Sequence, residues 1–250
     1  MKIKIILLLV VLYLGSLLLT LPAQQVVRFI PKSSGVTIGF VSGTLWDGSA
    51  SQINYKNQFQ LQHAEWAFDW FALLALKLRL DIDFNNGAQA MSGKGAVQLG
   101  FSGWSVENFV MDISAPELIT YADIVVPAEI TGDLSLVIKS ASQGSPYCDD
   151  IDGFVVWNKA KVASEFGNVD LKSAHLDLSC DAGQLVGDLQ QDSEQLTSSG
   201  KIILKDKGLY QLQGLLKPGE QLASNIKDLF SWVGAKNKAG ETVINLNGKL

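Results

Sequence analysis

Apolar and polar residues alternate with a period of two over most of the chain. Leu74, Leu76, Leu78, Leu80, Ile82 and Phe84 are interleaved with Ala75, Lys77, Arg79, Asp81 and Asp83. That spacing predicts a long strand with one apolar and one charged face. Ile53, Tyr55, Phe59 and Leu61 alternate in the same way. So do Phe109, Met111 and Ile113, then Leu134, Leu136 and Ile138, then Val169 and Leu171, and finally Leu176, Leu178 and Cys180. Glycines punctuate these runs at Gly43, Gly95, Gly132, Gly167, Gly200 and Gly248, each followed two residues later by an apolar side chain. Their spacing is too irregular for a propeller or solenoid. It fits an antiparallel meander in which glycine opens a strand or marks a bulge.

Helical periodicity is scarce. Leu222, Ile226, Leu229, Phe230 and Val233 share one helical face between Pro218-Gly219 and Gly234, predicting a helix over 220–233. A shorter one is expected over 116–122, beginning at Pro116. Polar, turn-prone stretches at 141–145 and 190–199 are candidate soft points. Two short helices cannot cover the apolar face of so large a sheet. Either the sheet curls on itself or the face stays open for a partner or lipid.

The first segment departs from this pattern. Residues 5–21 carry no charge, and 14 of the 17 are apolar. As a helix they extend about 26 Å, near the lower limit for a membrane span. Lys2 and Lys4 precede the run and hold that end inside. The expected organisation is a cytoplasmic tip over 1–4, a transmembrane helix over 5–21 and an exported β-rich domain over 22–250. A cleaved leader is the competing reading, weakened by Leu21 at the position where a cleavage site needs a small residue.

Composition narrows the function. Lys and Arg total 20 against 25 Asp and Glu, a net charge of −5, which becomes −7 once Lys2 and Lys4 are set aside. No basic face is available to neutralise phosphates, so no nucleic-acid partner is expected. With two His and two Cys, no zinc site and no other metal or cofactor site is expected. Cys148 and Cys180 form an even pair, and in an exported, oxidising compartment they are expected as a disulfide. Two buried free thiols are the other reading.

Each candidate for chemistry has a simpler explanation. Gly87 to Gly95 contains a Gly-Lys pair, but its glycine spacing is wrong for a phosphate loop, and Gly95 stands where Ser or Thr would hold magnesium. Asp149, Asp150 and Asp152 precede Gly153 as in a calcium loop, yet Lys159 falls where a bidentate Glu is needed, which leaves an acidic turn. His63 and His175 lie near apolar stretches with no nucleophile elbow in the chain, so they read as partly buried structural histidines. Asp81 and Asp83 share a strand face with Lys77 and Arg79, which makes them a solvated charge ladder. No catalytic residues are assigned and no enzyme activity is expected.

The order of features resembles a known family. It runs from the apolar start through Ser42-Gly-Thr-Leu-Trp-Asp-Gly48 to the Trp-rich Glu65-Trp-Ala-Phe-Asp-Trp-Phe-Ala-Leu-Leu74. Next come Lys77-Leu-Arg-Leu-Asp-Ile-Asp83, then Cys148, Gly153-Phe-Val-Val-Trp-Asn-Lys-Ala160 and Cys180. Gly208-Leu-Tyr-Gln-Leu-Gln-Gly214 and Asn247-Gly-Lys-Leu250 close the series. This pattern is similar to the type II secretion system protein N family, also called general secretion pathway protein N. The resemblance implies a single-pass inner-membrane protein of a Gram-negative bacterium with a periplasmic domain. Such a protein would partner other components of the apparatus that exports folded proteins, as an assembly or scaffolding part. The strand style also resembles AsmA-like envelope proteins, which would imply lipid carried in a hydrophobic β groove. The expected fold is thus mainly β, a long, curved antiparallel meander with one or two short helices after the N-terminal span.

Overall fold

The computed structural model of the protein describes residues 2–56, 59–87, 90–121 and 126–249. The chain opens with two helices, α1 (Lys2–Leu19) and the short α2 (Ala23–Val27). A first group of strands comes next: β1 (Val36–Ile38), β2 (Val41–Gly43), β3 (Asp47–Tyr55), β4 (Phe59–Asp69), β5 (Leu78–Asn85), β6 (Ser92–Gly100) and β7 (Gly103–Ser114). After α3 (Ala115–Tyr121) come β8 (Glu129–Gln143), β9 (Cys148–Ser164), β10 (Gly167–Asp181), β11 (Gln184–Asp192), β12 (Leu196–Lys205) and β13 (Leu209–Pro218). Helix α4 (Ser224–Val233) and β14 (Thr242–Lys249) complete the fold.

The strands form one 14-stranded antiparallel sheet, each pairing with its neighbour in the chain from β3 to β14. β1 and β2 lie end to end along β3, so one edge is β1 with β2 and the other is β14. The expected meander is present, and it is open. Its exposed surface is 16353 Å², about half as much again as the ~11,000 Å² of a compact chain of this mass. A single layer accounts for the excess. Fully buried apolar residues are few: some lie where a helix meets the sheet, such as Ala115 at α3, Leu222 and Ile226 at α4, and Ala23 with Ala50 at α2, and others, such as Ala96, Ala160 and Val186, are small or medium side chains inside strands.

The period-two pattern survives several irregularities because bulges reset it. Val106 and Phe109 differ in parity, and Asn108 between them has φ 49°. The register shifts there, and both side chains keep to one face. Lys172, at φ 59°, does the same between Val169-Leu171 and Leu176-Leu178. The punctuating glycines are less uniform than expected. Gly167 opens β10, Gly132 sits at a bulge in β8 and Gly95 at the register shift in β6, but Gly200 and Gly248 lie inside strands.

Other expectations need correction. The strand predicted from Leu74 begins only at Leu78. The Asp69 side chain accepts a hydrogen bond from the Phe71 amide and caps a 3-10 turn, Trp70–Ala75, which Leu76 ends in the left-handed region. Lys77 therefore lies outside the strand and outside the charge ladder. The 190–199 soft point is mostly strand, since Gln190, Gln191 and Asp192 pair with Ser199, Ser198 and Thr197 across a short turn. Helix 220–233 starts at Ser224, and Leu222 is buried ahead of it. The short helix predicted over 116–122 is α3, and Ala122 lies outside the described residues.

The apolar run at 5–21 is helical to Leu19, but among the described residues no helix is long and apolar enough to cross a membrane. The fold thus gives the expected span no support. At 18 residues including two lysines, α1 falls short of the ~20 apolar residues that a span needs. Its side chains from Ile5 to Leu14 are all about half exposed or more, so no layer of the protein covers it.

Candidate functional site

The two faces of the sheet have opposite chemistry. One apolar row crosses it through Ile82, Gly95, Phe109, Ile138, Gly153, Leu178, Gly187, Ile202, Leu212 and Leu246, each beside the next in the strand register or in contact across it. Glycines in this face leave room for large neighbours to lie flat. A Cβ on Gly95 would fall 2.6 Å from the Phe109 Cα, one on Gly93 2.5 Å from the Phe84 ring, and one on Gly48 2.7 Å from the Trp66 ring. Aromatic side chains folded over strand glycines pin register and bend a sheet. Among the described residues no second layer covers the row, and Ile202 and Leu246 remain 38% and 48% exposed.

The opposite face is charged. Arg79 pairs with Asp81 at 3.2 Å and with Glu107 at 2.9 Å. Partial burial opposes the charge on Arg79, but the carboxylates of Asp81 and Glu107 outweigh it and hold the guanidinium above its ordinary pKa. Asp83 stands opposite Glu65 and Lys94 in the register. With Ser49 these residues line a groove of about 630 Å³. Farther along, Lys172 pairs with Glu194, and that bond lowers the carboxyl pKa from its ordinary value. Such exposed pairs position side chains and contribute little stability.

The cysteines meet at the end of the sheet where β8 turns into β9. Cys148 and Cys180 are joined in a disulfide with their Cα atoms 6.1 Å apart. Beside it the Tyr147 hydroxyl donates to the Lys205 carbonyl at 2.9 Å and accepts from the Gly208 amide at 2.9 Å. The β8–β9, β10–β11 and β12–β13 connections are thereby tied together.

The remaining candidates are dispersed. Asp149, Asp150 and Asp152 lie in β9 and not in a turn, with Asp150 accepting from Ser140 and Asp152 pairing with Lys139. His63 is more exposed than expected and His175 is partly buried, both on the polar face, at 3.0 Å from Glu65 and 2.9 Å from Asp177. His175 also stacks on Phe154. Gly87 is a turn residue before β6, and part of the former phosphate-loop candidate lies outside the described residues. Among the described residues no group of three or more His, Cys, Asp or Glu could hold a metal.

The periodicity missed the rim formed by the β4–β5 and β6–β7 turns. Phe71, Leu74, Leu76 and Phe101 are 81%, 85%, 69% and 93% exposed there. The signal was in the sequence: Trp70-Phe-Ala-Leu-Leu-Ala-Leu76 is apolar at both parities, which a strand with one wet face is not.

Residues 34–245 match the family model described as type II secretion system (T2SS), protein N. The chain is 31% identical over 256 residues to the type II secretion system protein N of Aeromonas hydrophila, covering 100% of this chain and 99% of that one. It is 29% identical over 236 residues to the protein of that name from Vibrio cholerae serotype O1, covering 94% and 93%. The protein of that name from Pectobacterium carotovorum is 27% identical over 243 residues, covering 96% and 94%. No solved structure matches the chain.

Proposed function

Since the chain belongs to the type II secretion system protein N family, we propose that it is a non-enzymatic assembly or scaffolding component of a type II secretion apparatus. In this reading residues 1–4 are cytoplasmic, α1 anchors the chain in the inner membrane and residues 22–250 form a periplasmic domain. The uncovered helix and the disulfide support that placement, because thiols persist as a bridge only in an oxidising compartment. One observation carries the scaffolding role. An apolar row runs unbroken from Ile82 to Leu246 with no layer over it among the described residues, and the outer edge of β14 is paired only at its start, where Lys236 bridges Thr242. Partners engage such a surface by packing on the face or by adding a strand to an edge.

The test is a chromosomal replacement in a strain with an intact secretion operon. Ile202→Asp with Leu246→Asp puts charge on already exposed positions of the face, sparing the fold. Secretion and co-purification of other secretion components should both fall at least tenfold, with the level of the protein unchanged. Normal secretion in a strain lacking the whole chain would overturn the reading. The same uncovered face favours a second reading, the carriage of lipid on the apolar row. That reading predicts phospholipid co-purifying with the full chain, displaced by the same double variant while secretion stays normal.

A further inference from the structure

We propose that the loop rim of the sheet beside α1 is a lipid-docking surface, seated in the interface of the bilayer leaflet from which α1 emerges. The proposal deepens the anchor reading above and rests on it.

Two adjacent turns build the rim. In the strand register Leu78 stands beside Leu99, and Leu99 beside Trp104, which brings the β4–β5 and β6–β7 turns together. They present Phe71, Leu74, Leu76 and Phe101 almost fully to solvent, flanked by Trp70 and Trp104 at 43% and 42% exposure. Large apolar side chains concentrated on protruding turns are costly in water. Half-wet indoles at their base suit the membrane–water boundary.

Helix α1 identifies the occupant. The Trp46 indole donates to the Leu18 carbonyl at 2.8 Å, and the Leu45 amide donates to the Leu21 carbonyl at 2.9 Å. The Trp46 ring lies 5.0 Å from Trp70, whose 3-10 turn carries the rim. The exit of the helix is therefore tied to the rim through one aromatic contact. The uncharged part of α1 from Ile5 to Leu19 is about 22 Å long, short of a hydrocarbon core of about 30 Å. A short span thins the bilayer and draws the adjoining part of the protein to the surface. The part tied to the exit of α1 is this apolar rim. Lys77, exposed between Leu76 and Leu78, is placed to meet anionic headgroups.

The test uses the full chain reconstituted in vesicles of phosphatidylethanolamine and phosphatidylglycerol doped with brominated phosphatidylcholine, which quenches indoles at the interface. Wild-type fluorescence should be quenched, and Trp70→Phe with Trp104→Phe should remove at least half of that quenching. Leu74→Asp with Phe101→Asp should lower the quenching at least twofold. All variants should still sediment with the vesicles, because α1 is untouched. A chain that sediments but whose quenching neither pair alters would overturn the rim and leave the anchor standing. A chain that fails to sediment would overturn both. Rim tryptophans that are unquenched in a cross-linkable dimer would overturn the proposal in favour of a second copy as the occupant.

Discussion

Gly95 stands beside Phe109 with no space for a methyl group. Gly95→Ala is expected to cost about 1–3 kcal/mol, since either the Phe109 ring or the strand must move. Urea unfolding of the full chain in detergent would measure it. Tyr121 carries the clearest pH signature. Burial raises its phenol pKa, and the hydrogen bond to Glu117 at 2.9 Å raises it further. The fold thus favours the neutral phenol. Its contribution is fully present below the ordinary tyrosine pKa and is lost as pH rises through the higher folded value. Ultraviolet titration should find one tyrosine ionising late, and Glu117→Gln should bring it partly back. A titration in which that substitution moves no tyrosine would contradict the assignment. Neither role was visible in the chain as a string, because Gly95 read as a strand entry and Glu117 lies in sequence far from the Met91 amide it accepts from.

At the scale of elements, the β9–β10 hairpin is held at its open end by the Cys148–Cys180 bridge, across 32 residues. In the chain-entropy account, Cys148→Ser with Cys180→Ser should cost about 3–4 kcal/mol. Alkylation of unreduced protein should label neither cysteine, and ready labelling of either would refute the bridge. The pairing was readable from the even count together with the exported context that the apolar start led us to expect. Its setting was not: Tyr147 and its bonds to Lys205 and Gly208 join residues about sixty positions apart. The Trp70–Ala75 turn shows the opposite failure. Leu74 and Leu76 continue the period of two of the next strand, yet the Asp69 cap and the left-handed Leu76 turn the chain out of the strand.

The whole molecule is a single layer, and its dimensions should show it. A compact chain of this length has a radius of gyration of about 18 Å. An open sheet with an uncovered helix should exceed that clearly in small-angle neutron scattering with contrast-matched detergent. A value near 18 Å would mean that the sheet closes on itself in solution. Closure would bury the apolar row and remove the surface on which the proposed scaffolding role depends.

The alternation of side chains determined by itself that this is a meander with one apolar and one polar face, because a strand exposes every second residue to the same side. The apolar start and the acidic balance likewise set its class. Tertiary structure decided what alternation cannot encode. Bulges at Asn108 and Lys172 keep one face apolar across changes of parity. Among the described residues no second layer forms over that face, and the loops next to α1 gather into a rim. Each of these depends on which strand edges and turns become neighbours, and pairing partners are set by contacts between residues far apart in the chain.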